Sequence, residues 1–510
     1  MGFKIIDIKL PTDYTEAQLE YAACKAAGIK TCSFQVISKG LDARKKSNLH
    51  WQMRLGVSSE ELKGDNPLPE EPLAITYKQR NKKVLVTGSG PAGFFAAYVL
   101  QQAGFSVTIL ERGADVNKRA KAIADFEKSG KFSPLGNYGF GEGGAGTFSD
   151  GKLTSRTKRI SKEKAFITNA YIFGGGPEEI AWLTHPHLGS DNLRRIVKKL
   201  REDFIRRGGT LLFETQLLDL DVKAGTITAG ITSNGELEAD YFIIAPGHSS
   251  YETYRMLINR GVAFQTKNFA IGSRAEHNQE IINIAQWGKA QLPGVKAAEY
   301  RLTAKTSDNR PVYTFCMCPG GMVVPATPYE HTNIVNGMSY FRRDSKFANA
   351  ACVAGIHPDQ LAGKKVTPAQ ALVELEKLEQ SFKQFTGDFS APFCTIKEFM
   401  AGKVTSKAVE TSYPLGLTPA PLYNMLPAVV TKAMREGLLA FTHKIRGYDS
   451  GILLGLESKT SAPIQALREE NGVCPGFSNL FIAGEGSGYA GGIMSSAADG
   501  IKAAMRIVEL

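Results

Sequence analysis

The sequence predicts an α/β protein. It has a parallel-sheet domain built from two separated pieces, a mixed α+β domain inserted between them, and a small N-terminal βαββ module. Three observations predict it. First, the apolar run Val84-Leu-Val86 leads into Gly88-Ser-Gly90-Pro-Ala-Gly93, and a second apolar run, Val107-Thr-Ile-Leu110, ends at Glu111. Second, the apolar segments beginning at Asp240 and at Asn479 end in glycine turns, at Gly247 and Gly484. Third, residues 262–475 mix short β-like runs with helical stretches and continue neither pattern. Strand, glycine turn, helix, strand and acid make a Rossmann-like unit.

In chain order, Phe3–Lys9 alternates as a strand, and Thr15–Ala27 reads as a helix capped by Thr15. Lys30–Ile37 and Leu49–Leu55 read as two more strands, joined by the polar stretch Leu41–Lys46. The sum is ferredoxin-like. Residues 58–80, rich in Pro, Glu and Lys, read as a linker. The boundaries are therefore 1–80 for module and linker, 81–261 for the first part of the nucleotide domain, 262–477 for the insert and 478–510 for the closing part. Arg194–Arg207 is amphipathic, Leu211–Thr215 reads as a strand, and residues 217–239 read as hairpins around Asn234-Gly235. Gly174-Gly-Gly176 reads as a turn. Pro368–Thr386 and Pro427–Ile445 read as helices of the insert.

The glycines have distinct tasks. Gly88 permits the tight turn, Gly90 leaves room for a pyrophosphate at the backbone, and Gly93 lets the helix opened by Pro91 and Ala92 pack on the strand. The helix start then offers N–H groups and a positive dipole end to phosphates. Glu111 stands where an acid accepts ribose hydroxyls, and an acid there disfavours a 2′-phosphate. Six glycines between Gly139 and Gly151 rule out a stable helix or ordinary strand. Such backbone suits close approach to phosphates or a ring.

The chain has 510 residues, 43% of them hydrophobic, which fits two to four folded domains. No apolar run approaches the length of a membrane span, and the start of the chain lacks a signal-peptide core. Seven cysteines without a CxxC or a paired Cys/His pattern suggest neither a disulfide framework nor a metal site. A cytoplasmic location is the expectation. The net charge of +11 favours anionic partners, although the basic residues are dispersed. Lys152, Arg156, Lys158, Arg159, Lys162 and Lys164 form the densest stretch.

The segment Asn479–Ile493 resembles FAD proteins of the glutathione-reductase superfamily, and Asp240–Gly247 agrees. Tyr138–Leu153, Ala245–Ser249, Gly272–His277, Phe315–Gly321 and Glu457–Pro463 resemble the family of uncharacterised FAD-dependent dehydrogenases over nearly the whole chain. The resemblance implies FAD as cofactor. It implies Gly484 and Glu485 on the ribityl or phosphate side and Gly491, Gly492 and Ile493 at a helix end aimed at the flavin. It also implies that Gly143, Gly144, Ala145, Gly146 and Thr147 run beside the pyrophosphate and the ring. Ala245 and Gly247 lie nearby, and Arg112 and Leu217 complete the expected set. Departures are Lys459, where arginine is expected, and Ala275, where a larger apolar residue is common. The CxxxxC redox disulfide is absent from the sequence.

Catalytic candidates are Arg274, as a carboxylate clamp, and Glu276 or His277, as a proton carrier. Arg274 and Glu276 alternate on a strand and can also pair with each other. Cys316 and Cys318 read as packing residues, His248 as a residue near the cofactor or a helix cap, and Glu457 with Lys459 as an ion pair. The leading function is an FAD-dependent oxidoreductase acting on a small anionic or unsaturated molecule. The alternatives are an RNA-directed flavoprotein, a quinone-linked electron carrier and a non-enzymatic FAD-binding protein. Nucleic acid is disfavoured, because Phe34 is the only aromatic on its strand. The single glycine fingerprint predicts reduction by substrate rather than by a tightly held NADH or NADPH. Composition leaves the oligomeric state open.

Overall fold

The computed structural model describes residues 1–65, 71–155, 157–404 and 409–510, so Arg156 of the basic stretch lies outside the described residues. An all-parallel five-stranded sheet runs in the order Leu480–Ile482, Tyr241–Ile244, Lys83–Thr87, Ser106–Leu110, Thr210–Leu212. Its inner strands are apolar on both faces, as a helix-covered sheet requires: Val84, Leu85, Val86, Phe242, Ile243 and Ile244 are all buried. The edge strand Leu480–Ile482 joins only after the chain returns from the insert. Helix Ile493–Glu509 then crosses helix Pro91–Gln102 so closely that a Cβ on Gly500 would collide with the Ala92 carbonyl. Strands Leu217–Lys223, Thr226–Thr232 and Gly235–Glu238 form an antiparallel sheet, with Gly235 at φ 118° in the predicted turn.

Residues beyond 264 build an eight-stranded, mostly antiparallel sheet. Phe269–Asn278 lies between Phe347–Ile356 and Ile452–Glu457, and Pro311–Pro325 flanks Phe347–Ile356. The chain enters and leaves this unit through a two-stranded tether, Phe264–Thr266 paired with Ile464–Ala466. Helix Pro368–Thr386 has a capping box between Thr367 and Gln370, and Ala428–Lys444 forms the second long helix.

At the N-terminus, Gly2–Leu10, Ser33–Asp42 and His50–Ser59 form an antiparallel sheet with the third strand in the middle. Helix Glu16–Ala27 covers it, and Thr15 and Gln18 cap each other reciprocally. Ile6, Ile8, Leu19, Ala23, Leu55 and Val57 give the unit a core of its own. Leu41 and Asp42, predicted in the connection, extend the second strand because they pair with Trp51 and His50. The unit docks through Lys39, whose N–H donates to Trp182 O at 2.9 Å and whose carbonyl accepts from Thr184 N at 3.0 Å. The predicted linker is not free chain throughout. Leu73 and Ile75 pack on the parallel-sheet core, and Lys78 N donates to Ala103 O at 3.2 Å. Among the described residues no helix is long and apolar enough to cross a membrane.

Candidate cofactor site

Three glycines of the first turn have different physical reasons. Gly88 sits at φ 96°, and a Cβ there would strike the Ala245 carbonyl. A Cβ on Gly93 would strike the Gly88 carbonyl. Both are required by the fold itself. Gly90 is not: a Cβ there would lie 3.7 Å from Gly144 Cα, an ordinary contact. What needs the absence of a side chain at Gly90 is approach from outside.

Two other segments converge on that point. Gly144, at φ 66°, would place a Cβ 3.0 Å from Gly90 Cα and 3.7 Å from Pro91 Cδ. Gly146 would place one 2.9 Å from Ile493 Cγ1. Gly491 and Gly492 have open space around them. Helices Pro91–Gln102 and Ile493–Glu509 both start without a side-chain cap, at Gly90 and Gly492. Two positive helix ends and a glycine-rich loop therefore face one region, which fits an anionic dinucleotide. Pro91, Gly143, Gly146, Thr147 and Ile493 line one cavity. Thr147 is buried, and its hydroxyl donates to Glu142 O at 3.3 Å.

Glu111 is buried and already well occupied. One carboxylate oxygen accepts from Ser89 N (3.1 Å) and Ser89 Oγ (2.6 Å), the other from Gly113 N (2.9 Å) and Gly141 N (3.1 Å). It ties the first glycine turn to the glycine-rich loop, so a ribose would share a carboxylate that already has four donors. Behind the loop sits Arg119, which the sequence reading missed. Fully buried, it donates to the carbonyls of Asn137 (2.8 Å), Tyr138 (3.0 Å), Gly141 (3.2 Å), Glu142 (2.8 Å) and Gly144 (2.8 Å). Burial outweighs the nearby Glu111 and Glu142 and pushes its guanidinium down to about 10. Glu142 in turn accepts from Val116 N at 2.7 Å and pairs with Arg201 at 3.2 Å.

Other expected cofactor residues divide. Glu485 lies in a short 3-10 helix behind Gly484, which sits at φ 87°. Burial pushes its carboxyl up to about 7 against the opposing Gly492 N–H, which places the acid beside the second helix start. The Gly247 carbonyl accepts from Tyr254 Oη at 2.8 Å, and a Cβ on Gly247 would meet open space. Arg112 has protein partners of its own. It pairs with Glu252 and stacks 3.9 Å over the ring of Phe140 in the glycine-rich loop, so in this structure its charge is met by a carboxylate. The Leu217 side chain is buried in the core and packs toward Gly230. His248 meets Ser249 Oγ at 2.8 Å, and burial with the Lys459 charge pushes it down to about 3. The following helix starts at Tyr251 with Ser250 at its N-cap, so His248 does not cap it.

The three catalytic candidates are built into the antiparallel sheet. Arg274 has no exposed surface. Nε donates to Asn349 Oδ1 (2.8 Å), one terminal nitrogen to Glu457 (2.7 Å) and Asn336 Oδ1 (3.1 Å), and the other to Cys316 O (2.6 Å) and Cys318 Sγ (3.8 Å). Five donors meet five acceptors, leaving none for a substrate carboxylate. Glu276 is buried and accepts from Thr411 Oγ1 at 2.7 Å and from both the N–H and the hydroxyl of Ser412. His277 Nε2 lies 2.7 Å from Tyr448 O, and burial pushes the ring down to about 4. These contacts replace the clamp and proton-carrier roles with bracing roles.

Arg274 and Glu276 share a face without pairing. The Glu457–Lys459 pair does not form either: Glu457 pairs with Arg274, and Lys459 with Glu379 at 2.8 Å. Cys318 packs as expected, but Cys316 is exposed at φ 42°, in a bulge between Phe315 and Cys318. Lys152 reaches that bulge and donates to Met317 O. Near Lys152, Arg343 pairs with the buried Asp150 at 2.6 Å, His185 pairs with Glu299, and the Lys296 ammonium lies 3.2 Å from the Phe341 ring centre.

Residues 268–460 match the family described as FAD-dependent protein, C-terminal domain-like, and residues 81–126 match an FAD binding domain. An uncharacterized protein of Clostridium beijerinckii is 36% identical over 532 residues, covering 100% of this chain and 99% of that one. Solved structures with some likeness include CtdE in complex with FAD (TM-score 0.35, 13% identity, 84% of each chain). A glycine oxidase from Bacillus cereus gives TM-score 0.33 at 11% identity over 84% of this chain and 95% of that one. A flavoprotein/dehydrogenase from Cytophaga hutchinsonii gives 0.37 at 14% over 84% and 77%. The chemistry a flavin brings to a protein is oxidation and reduction. The chain belongs to the family of FAD-dependent proteins that includes the clostridial relative.

Proposed function

We propose that the chain oxidises or reduces a small anionic substrate held between the parallel-sheet domain and the antiparallel sheet. The observation that carries this reading is the convergence of Gly90, Gly144, Gly146 and Gly492 at two uncapped helix starts. Residues 88–93 and 143–147 would hold the pyrophosphate, and the Gly492 end would face the electron-rich edge of the isoalloxazine. FAD bound there supplies hydride or electron transfer at its ring. The helix end favours negative charge at that edge, and Glu485, poised near neutrality, can hold or release one proton beside Gly492.

The substrate's charge is read from the cations beyond the glycine-rich loop. Glu299 is held well below the usual carboxylate range: burial pulls it up, but His185, Lys152 and Arg343 outweigh it. Lys296 is pulled down by burial and by Arg343. Lys152, Lys296 and Arg343 are met by Asp150, Glu179 and Glu299, so protonation of His185 would leave one positive charge for a carboxylate or phosphate on the substrate.

We also read the chain as 1–80, 81–261, 262–477 and 478–510, with the third unit as a cap and the first as ferredoxin-like. The all-parallel order of the five-stranded sheet supports membership of the glutathione-reductase superfamily. Donor preference follows from the single glycine fingerprint. The test is an anaerobic screen of carboxylates, phosphates, NADH and NADPH for bleaching of the bound flavin. Bleaching by an anionic metabolite is the expected result. Fast, saturable reduction by micromolar NADH or NADPH, with no response to any metabolite, would replace this reading with a nicotinamide-driven reductase.

A further inference from the structure

We propose that Cys24 and Cys32 of the N-terminal unit form an oxidation site, in which a peroxide or a small disulfide joins their sulfurs and pins the end of helix Glu16–Ala27 to the start of strand Ser33–Asp42. The two Sγ atoms face each other at 2.8 Å across the turn between helix and strand. Both ends of that turn are fixed. Gly28, at φ 79°, and Ile29 donate to Cys24 O at 2.9 and 3.1 Å, and the Ser59 hydroxyl donates to Thr31 O at 2.8 Å. Cys24 is buried, whereas Cys32 is partly exposed and open to a small oxidant. The other described cysteines have no such neighbour: Cys316 and Cys318 are separated by the bulge, and Cys352, Cys394 and Cys474 are buried in the body of the protein.

The step balances with hydrogen peroxide as oxidant. Each thiol loses its hydrogen, one S–S bond forms, the O–O bond breaks, and two waters leave. Burial and the adjacent Cys24 thiol push Cys32 up to about 12, so alkylation and oxidation by peroxide are both slow at neutral pH and both speed up as pH rises. The link would fix the start of the strand that carries Lys39, through which the unit docks on Trp182 and Thr184. His185, which pairs with Glu299, is the next residue.

The full-length, FAD-loaded protein is treated with hydrogen peroxide, then unfolded in N-ethylmaleimide and digested with trypsin without reduction. Cleavage falls between the two cysteines, so the disulfide would join peptide Leu10–Lys25 to peptide Thr31–Lys39. The expected result is that this linked pair dominates in wild type, disappears on reduction and is absent from Cys24→Ser. Recovery of both peptides alkylated, at a peroxide dose that oxidises the exposed Cys316, would overturn the proposal. So would capture of Cys32 by any other cysteine.

Discussion

Arg119 and Arg274 are both fully buried, yet burial leaves them in opposite electrostatic states. Arg119 hydrogen-bonds only backbone carbonyls, and its guanidinium is pushed down to about 10 because burial outweighs the more distant Glu111 and Glu142. Arg274 is pulled down by burial too, but Glu457 at 2.7 Å, with Cys318 and Cys316, holds it above the ordinary value. The first arginine collects the carbonyls of a glycine-rich loop on one side, which frees the loop's other side for an anion. The second closes on its own carboxylate and braces four strands. One region keeps positive charge in reserve for a ligand, and the other neutralises itself.

The comparison breaks most visibly at Arg274. Arg274→Met leaves Glu457 buried without its partner, and removing one member of a buried pair costs about 3–5 kcal/mol. Urea unfolding should show that loss, and adding Glu457→Gln should recover part of it. A variant as stable as wild type that has lost only turnover would restore the carboxylate-clamp role.

Arg119→Met should act on the cofactor as well as on the fold. It orphans five carbonyls around the loop, and each hydrogen bond to a charged group is worth about 1.5–3 kcal/mol, of which a share equal to one bond is expected at the cofactor. FAD titration into apo-protein should show affinity lowered about ten- to a hundredfold. The N-terminal unit, with its own core, should keep its hydrogen-exchange protection. Equal FAD affinity in wild type and variant would show that the loop keeps its shape without the arginine.

A smaller effect sharpens the comparison through pH. If FAD hydroxyls donate to Glu485, binding favours the ionised carboxylate, whose proton leaves the free protein near pH 7. FAD affinity should then rise with pH up to about 7 and level off above it, changing at most about tenfold per unit. Glu485→Gln should flatten the curve. A wild-type curve that is flat between pH 5 and 8 would remove Glu485 from contact with the cofactor.

The two regions also differ in what their residues disclose. Gly88 and Gly93 are legible because a local turn and helix packing dictate them, and the Thr15 cap because its partner Gln18 is three residues away. Arg119 is not legible, since its acceptors are backbone carbonyls that any residue supplies. Arg274 misleads for a related reason. An arginine and an acid two apart on a strand suggest a pair or a clamp. The real partners, Cys316, Asn336, Asn349 and Glu457, arrive from four other strands, and Glu276 is satisfied by Thr411 and Ser412. Lys459 finds Glu379 on a distant helix. Sequence spacing carries local geometry well and tertiary partnership poorly.

The most direct measurement is calorimetric FAD binding to apo wild type, Gly90→Val and Gly93→Val, alongside their unfolding curves. A Cβ on Gly90 meets only an ordinary contact with Gly144, whereas one on Gly93 strikes the Gly88 carbonyl. Wild type should bind one FAD per chain. Gly90→Val should unfold like wild-type apo-protein yet bind no FAD, and Gly93→Val should be unstable with or without it. Gly90→Val protein that binds FAD as tightly as wild type would contradict the claim that the converging glycines hold the cofactor's phosphates.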